Sequence, residues 1–376
     1  MPDFGTDRLA RWKVATSMSQ VPTRGEEPTE PAEPAEPAEA AEAAEAEPVL
    51  SLGLPPNVRV VEYARLAERL GYHRLWLFDS PALYGDLWMA LGRVAEATES
   101  IGLGTGVAVP SLRHPMVTAA AVGTVEELAP GRLTCAFGTG FTARVALGRP
   151  AMRWADLARY VRQVRALLAG EAVEIDGAQA QMLHRPGWGP SRPLATPLWA
   201  APMGPKGFAT ARDLDVDGVI FPVVPNTPLT DWKSRALLAH GTVLRPGEDH
   251  TSPRLVEAVG PWFATSFHGV WELYPHVLDS LPGGPEWRAE MEASRPAGQR
   301  HLAVHEGHVV TLTEADRAGI AAAGPAILGT GWTGEAASIR ARTREAGAAG
   351  VTEVVYTPSG PDIPAEIEAF AAAART

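Results

Sequence analysis

From residue 49 onward the chain alternates between two periodicities. Short continuous apolar runs with no polar face read as strands buried on both sides, and "VLSLGL" at 49–54 is the first of them. Segments with apolar residues three and four apart follow these runs and read as helices. In "VRVVEYARLAERLGY" the stripe passes through Val61, Ala64, Leu66 and Ala67 before Gly71 stops it. The exchange recurs, with strands expected at 73–80, 101–109, 132–138, 196–202, 217–222, 253–260 and 351–358. Helices are expected at 86–98, 115–128, 153–170, 205–214, 230–240, 333–347 and 364–374. Eight strands alternating with eight helices is the count that closes a (β/α)8 barrel. A doubly wound open sheet is the runner-up, but the break near residue 150 that would end its dinucleotide-binding half is not visible.

Two stretches interrupt the rhythm. "EAVEIDGAQAQML" at 171–183 reads as a hairpin turning at Asp176-Gly177. Residues 261–332, rich in Trp, His, Gly and Pro, are too long for a simple connection and follow the expected seventh strand. In a barrel, an insertion there lies over the active face as a lid.

Charge changes the picture only at the N-terminus. The formal net charge is −11, but residues 25–48 hold nine Glu and no Lys or Arg, which leaves −2 on the rest. The repeat "EEPTEPAEPAEPAEAAEAAEAEP" has prolines that favour extended conformations and no large apolar groups to build a core. Residues 1–48 are therefore expected to be a disordered acidic extension and 49–376 one barrel. The near-neutral remainder offers no basic patch for nucleic acid. No apolar run reaches the roughly 18 residues a membrane-spanning helix needs. The first residues lack a secretory pattern and Cys135 is the single cysteine, so a reducing cytoplasm is expected.

Gly-Thr-Gly ends an apolar run three times, at 104–106, 138–140 and 329–331. The middle copy, continued as Phe141-Thr142-Ala143, satisfies G-x-G-x-x-A, the fingerprint of a dinucleotide-binding turn. Its context does not: Gly148 and Pro150 delay the next helix, and no acidic strand end follows at the usual distance. The first two copies read instead as ends of neighbouring barrel strands, where bare backbone lets a ligand approach closely. Ordinary glycine-rich strand ends are the plain alternative. The third copy precedes a helix that Thr333 would cap, with Glu335 in its first turn.

The order of "LGYHRLWLFDS", "ATESIGLGTGVAVPSLRHPMVTAAAVGTVEELAPGRLTCAFGTG" and "APMGPKGFATARDLDVDGVIF" closely resembles the luciferase-like monooxygenase superfamily. The branch it is most similar to is that of methylenetetrahydromethanopterin reductase. The resemblance implies a (β/α)8 barrel that binds coenzyme F420, the preferred cofactor here, or FMN. It implies that Gly104, Thr105, Gly106 and Val107 form a strand bulge behind the cofactor ring, with a cis peptide at Gly106-Val107. Gly138, Thr139, Gly140 and Phe141 would line the ring and phosphate arm. Gly204, Pro205, Lys206 and Gly207 would meet the phosphate at a helix N-terminus. Family habit also implies a homodimer. Ser80 stands where several F420-dependent members carry a histidine near the reactive ring nitrogen.

Two further candidates sit at strand ends. Asp79 ends the second strand and so points toward the active face, where it either caps the loop or takes part in the chemistry. His114, in "RHP", either orients the next helix or stands near substrate or cofactor. "RHLAVHEGHVV" at 300–310 holds His301, His305 and His308 without the H-E-x-x-H order of a helical zinc site, and Gly307 interrupts a helix. No metal is therefore assigned; His305 and His308 are expected to line the lid or form a polar cluster. Trp262 and Trp332 flank the insertion and are expected as walls of a pocket for a small-molecule substrate. The leading reading is a hydride-transferring oxidoreductase. Its alternatives are an FMN-dependent monooxygenase using oxygen and a catalytically silent flavin-binding barrel. A lyase or hydrolase barrel would need paired carboxylates or a Schiff-base lysine at strand ends, and neither is evident.

Overall fold

The computed structural model describes residues 47–375; the acidic extension expected at 1–48 lies almost wholly outside them. The first half of the chain lays down β1 (Val49–Leu54), α1 (Val60–Arg69), β2 (Arg74–Leu77), α2 (Leu87–Ala97), β3 (Gly102–Ala108), α3 (Pro115–Leu128) and β4 (Leu133–Phe137). A short α4 (Phe141–Val145) and the long α5 (Trp154–Ala169) lead to a hairpin, β5 (Val173–Ile175) with β6 (Ala178–Ala180). Asp176 and Gly177 make its turn with φ of 52° and 82°, the left-handed pair that a tight hairpin requires. Then come β7 (Leu198–Ala200), α6 (Gly204–Asp213), β8 (Gly218–Phe221) and β9 (Ser234–His240). Four helices, α7 (Pro253–Leu273), α8 (Gly284–Ser294), α9 (His301–Val304) and α10 (Glu314–Ala323), make up the insertion. The chain closes with α11 (Ala336–Ala348), β10 (Glu353–Thr357) and α12 (Ile363–Arg375).

Eight strands, all but the hairpin pair, form a closed parallel barrel in the order β1-β10-β9-β8-β7-β4-β3-β2. The expected barrel is thus present, with one exchange in its assignment. Residues 230–240, expected as a helix, contain strand β9, and residues 253–260, expected as a strand, are the first turns of α7. The run Ala236-Leu237-Leu238-Ala239 has no polar face, which suits a slot between β8 and β10 that is covered on both sides. In α7, Ser252 precedes Pro253 at the first helical position, a favoured start, and Pro261, a residue that ordinarily ends a helix, lies buried inside it.

Most of the core lies between strands and helices, but a second cluster fills the barrel lumen. Trp76, Ala136, Trp199, Ile220, Ala236 and Val355 pack there from six strands. The two indoles lie 5.2 Å apart, and Trp76 Nε1 donates to Glu353 Oε1 at 2.7 Å. Arg74 pairs with Glu353 at 3.0 Å and lies over both indoles, 5.0 and 5.5 Å from their centres. Room for the indoles comes from glycines. A Cβ on Gly104 would meet Trp76 Cε3 at 2.3 Å, and one on Gly218 would meet Trp199 Cε2 at 2.4 Å.

The third Gly-Thr-Gly is a close chain crossing. Gly331, at φ 53°, passes so near His240 that a Cβ would lie 2.3 Å from its carbonyl oxygen. Trp332 N donates to that same oxygen at 2.6 Å. The cap of α11 is Glu335, not Thr333 as expected, and Thr333 Oγ1 is buried without a partner.

Candidate active site

At the C-terminal ends of the strands the barrel opens into a pocket of about 280 Å³. In (β/α)8 enzymes this is the end that carries the chemistry. Its floor is the bulge in β3. Between Thr105 and Ala108 the register with β4 shifts, and the Gly106-Val107 peptide is cis, where the family resemblance places it. Gly106 and Val107 line the pocket; Gly104 and Thr105 do not. Gly104 makes space for Trp76 below the floor, and buried Thr105 donates to Ala136 O at 2.8 Å, bracing β3 against β4.

The adjacent wall is the end of β4, where Gly138, Thr139, Gly140 and Phe141 all face the pocket. Gly138 lies so close to the floor that a Cβ would meet Val107 Cγ2 at 2.5 Å. Gly140, at φ 73°, starts α4 against Val109. Across the pocket Ile220 and Leu238 add apolar surface from β8 and β9. The Gly204-Pro205-Lys206-Gly207 segment opens α6 just beyond pocket-lining Met203. Gly204, Pro205 and Lys206 are exposed there, while Gly207 is buried against Trp154.

Asp79 reaches the pocket from β2 and is itself held on two sides. Its carboxylate accepts from Val109 N at 3.0 Å and from Arg113 at 2.9 and 3.0 Å. Arg113 also bonds Asp86 at 2.6 Å, so one guanidinium ties the loops after β2 and β3 together. Burial pushes the Asp79 pKa above the usual carboxylate value, against the opposing pull of the Val109 amide and the guanidinium. His114, by contrast, lies outside the pocket. It caps α3, accepting from Met116 N at 3.2 Å, and its ring is half exposed toward the hairpin. Of its two expected roles, the geometry displays the orienting one.

The insertion supplies the remaining wall through Trp262, His308 and Val309. Trp262 stacks on His240 at 4.5 Å and 16°, and its indole N–H is buried without a partner. Burial depresses the His240 pKa to about 4, which keeps that ring neutral. Thr142 Oγ1 lies 3.5 Å from His308 Nε2, and Tyr84 donates to the His308 carbonyl at 2.5 Å. Tyr84, His308 and Val309 also border a second cavity of about 790 Å³ next to the ends of β1 and β10. His305 stands one layer behind His308, fully buried. Trp332, expected as a wall, is elsewhere: it packs 6.2 Å from Phe370 of α12, in the core between strands and helices. It flanks the insertion in sequence, but the chain crossing at Gly331 carries it away from the pocket.

The sequence reading missed His268. Its Nδ1 lies 3.1 Å from His308 Nδ1 and its Nε2 3.1 Å from Asp316, although it is 40 residues from the one and 48 from the other. The aromatic-rich helix around it carries no local signal of that role. His301 lies apart from the cluster, near Gly148.

A closed parallel barrel with a bare-backbone pocket over a bulged third strand defines the class of protein, a (β/α)8 barrel. The sequence model described as luciferase-like monooxygenase matches residues 33–353. The chain belongs to the luciferase-like monooxygenase family.

Among its relatives, a 5,10-methylenetetrahydromethanopterin reductase of Methanolobus tindarius is 30% identical over 177 residues, 44% of this chain and 50% of the relative. An F420-dependent glucose-6-phosphate dehydrogenase of Beutenbergia cavernae is 34% identical over 174 residues, 40% and 49% of the two chains. The chain thus spans about half the length of the curated relatives it matches. The solved coenzyme F420-dependent tetrahydromethanopterin reductase of Methanopyrus kandleri has a TM-score of 0.56 at 19% identity, covering 88% of this chain and 98% of that one. The oxygenating constituent of 3,6-diketocamphane monooxygenase from Pseudomonas putida, solved with FMN, has a TM-score of 0.55 at 12% identity over the same shares. These structural likenesses show the fold. Among the described residues no helix is long and apolar enough to cross a membrane.

Proposed function

We propose that this chain is an oxidoreductase that transfers a hydride to or from a small organic substrate with coenzyme F420. The observation that carries the reading is the pocket itself. Gly106, Gly138 and Gly140 bare the backbone on two sides, while Val107, Ile220, Leu238 and Trp262 supply apolar surface. A cavity near the lower end of small-molecule pockets, about 300 Å³, suits a planar ring system whose polar arm leaves over the rim. Trp262, stacked on His240, holds the fourth apolar face in place. The F420-dependent relatives favour this cofactor.

Bound there, a deazaflavin or flavin would supply the two-electron redox chemistry. The protein would supply position and shelter. Val107, braced by Gly138, would back one ring face; Thr139, Gly140 and Phe141 would border the arm, with Lys206 and the start of α6 beyond Met203 as the place for its phosphate. Asp79 would act through Arg113 and Val109, fixing the loop at the end of β3. Trp262 and His308 would close the substrate side against water. FMN with oxygen is the second reading, supported by the family's description as monooxygenases. A homodimer, and a cytoplasmic setting in which Cys135 stays a buried thiol, belong to the same proposal.

Titration of the full chain with F420 and FMN separately, followed by absorbance and thermal shift, tests it. Tight F420 binding is expected, and binding of neither refutes it. Protein loaded with chemically reduced F420 should then pass the hydride to an added electron acceptor, with one equivalent of oxidised F420 appearing for each acceptor reduced. Failure at that step would leave a silent flavin-binding barrel.

A further inference from the structure

Behind the pocket wall the insertion gathers three imidazoles. His268 comes from α7, His305 ends α9, and His308 lies in the turn that follows. One ring nitrogen of each lies within 4.8 Å of the other two. The rings meet at centroid distances of 5.3 to 5.4 Å. Two are fully buried and the third partly so. We propose that His268, His305 and His308 form a binding site for a divalent late-transition ion of the zinc type, clasping the pocket-wall turn to α7.

Donor type, orientation and charge support this. Three neutral imidazoles are a set that zinc, cobalt, nickel and copper prefer over magnesium or calcium. The two Nδ1 atoms of His268 and His308 face each other at 3.1 Å. That is near the separation of about 3.3 Å that two bonds of about 2.0–2.1 Å make at a tetrahedral ion. His268 presents its other nitrogen to Asp316 Oδ1 at 3.1 Å, the outer carboxylate that metal-bound histidines commonly have. Asp316 is in turn fixed by Trp287 Nε1 at 2.8 Å and by the Thr313 amide and hydroxyl at 3.0 and 2.8 Å. The direction of His268 is therefore set before any ion arrives.

His305 is the independent observation. It is 98% buried, with 2% of its surface exposed, and neither ring nitrogen has a hydrogen-bond partner. Glu272 Oε1 lies 3.5 Å from its Nε2, near enough for charge but without bonding geometry. A buried imidazole with two open nitrogens is rare in a folded protein, and an ion between it and its neighbours would satisfy one of them. Asp316 and Glu272 together would offset the charge of a divalent cation in this dry setting. With Nδ1 of His308 on the ion, its Nε2–H would face Thr142 and the pocket. The inner sphere then needs only one more ligand, a water or a substrate atom, to become four-coordinate.

The test uses full-length protein without an affinity tag, stripped with a chelator and then titrated with cobalt(II). One ion per chain, with the intense visible bands of tetrahedral cobalt that zinc then abolishes, is expected. Zinc should raise the melting temperature by several degrees without any organic cofactor. His305→Gln and His268→Gln should each weaken the ion at least about tenfold, and Asp316→Asn by about 10- to 100-fold. Pulsed EPR of a copper(II)-loaded sample counts coordinated imidazoles without any variant, and should find three. The proposal fails if cobalt gives only the pale octahedral spectrum of oxygen ligands, if no ion is retained at micromolar concentration, or if the variants bind as the parent does. The apposed Nδ1 atoms would then be sharing a proton. None of these readings depends on F420 or FMN, so failure here leaves the oxidoreductase proposal standing.

Discussion

Gly104→Ala separates packing from ligand contact at the first Gly-Thr-Gly. The backbone at Gly104 is ordinary strand, so alanine brings no conformational penalty. By lowering the freedom of the unfolded chain and suiting a strand better, it should even gain about 0.5–1 kcal/mol. Against that stands the new methyl, at 2.3, 2.7 and 2.8 Å from three ring atoms of Trp76. The indole has nowhere to go, held by Trp199 at 5.2 Å, by Glu353 through its N–H and by Arg74 across its face. Overpacking of this kind costs about 1–3 kcal/mol, so the net expectation is a loss of about 1–2 kcal/mol. In a domain of this size that lowers the melting temperature by about 2–6 °C. Urea midpoints and thermal melts of the two proteins measure it, and cofactor titration alongside should show affinity within about threefold of the parent. In a Trp76→Leu background the same substitution should cost at least about 1 kcal/mol less, the sign of direct coupling. A variant as stable as the parent, or one that keeps its stability while losing tenfold in cofactor affinity, would refute the assignment of Gly104 to the barrel lumen.

Asp79→Asn should cost only about 1–2 kcal/mol in urea unfolding, because Arg113 loses a charged acceptor but keeps Asp86, and burial already offsets part of the Asp79 pair; Asp86→Asn, at the exposed end of the same guanidinium, should cost under about 1 kcal/mol. Trp262→Ala removes a pocket wall, and should weaken cofactor binding by about tenfold in a fluorescence titration. His240 has a folded-state pKa of about 4, below its ordinary 6.5. As pH falls from 6.5 to 4 the unfolded chain takes up a proton that the folded chain refuses. The His240 contribution to stability should therefore fall by about 1.4 kcal/mol per pH unit through that window, up to about 3 kcal/mol, added to those of buried His305 and His308, whose pKa values are also depressed. His240→Gln should flatten that part of a chemical-denaturation profile, and an unchanged slope would contradict the assignment.

The barrel was legible because parallel strands buried on both faces leave continuous apolar runs that no loop imitates. The exchange between 230–240 and 253–260 arose where those rules lose force. The sequence "SRALLAH" has no β-branched or aromatic residue and becomes a strand because β8 and β10 frame it. Pro261 reads as a helix stop yet sits inside α7. At the site, the glycines at 106, 138 and 140 could be read as strand ends. Gly104 could not, since its reason is an indole 28 residues earlier. Trp332 shows that flanking an insertion is not the same as facing what it covers. His268 was invisible because its partners, His308 and Asp316, arrive from another helix and turn of the insertion.

The lumen plug gives the molecule two compartments of mutational tolerance. The pocket floor rests on Trp76, Trp199, Arg74 and Glu353, which lock one another in place across strands β2, β7 and β10. The wall of Trp262, His308 and Val309 belongs to a segment anchored at both ends beside His240, where the bridge between Val243 and Gly334 closes it. That segment could be exchanged as a cassette while the strands beneath keep their register. Under the proposed function, libraries that seek a new substrate preference belong between residues 253 and 323.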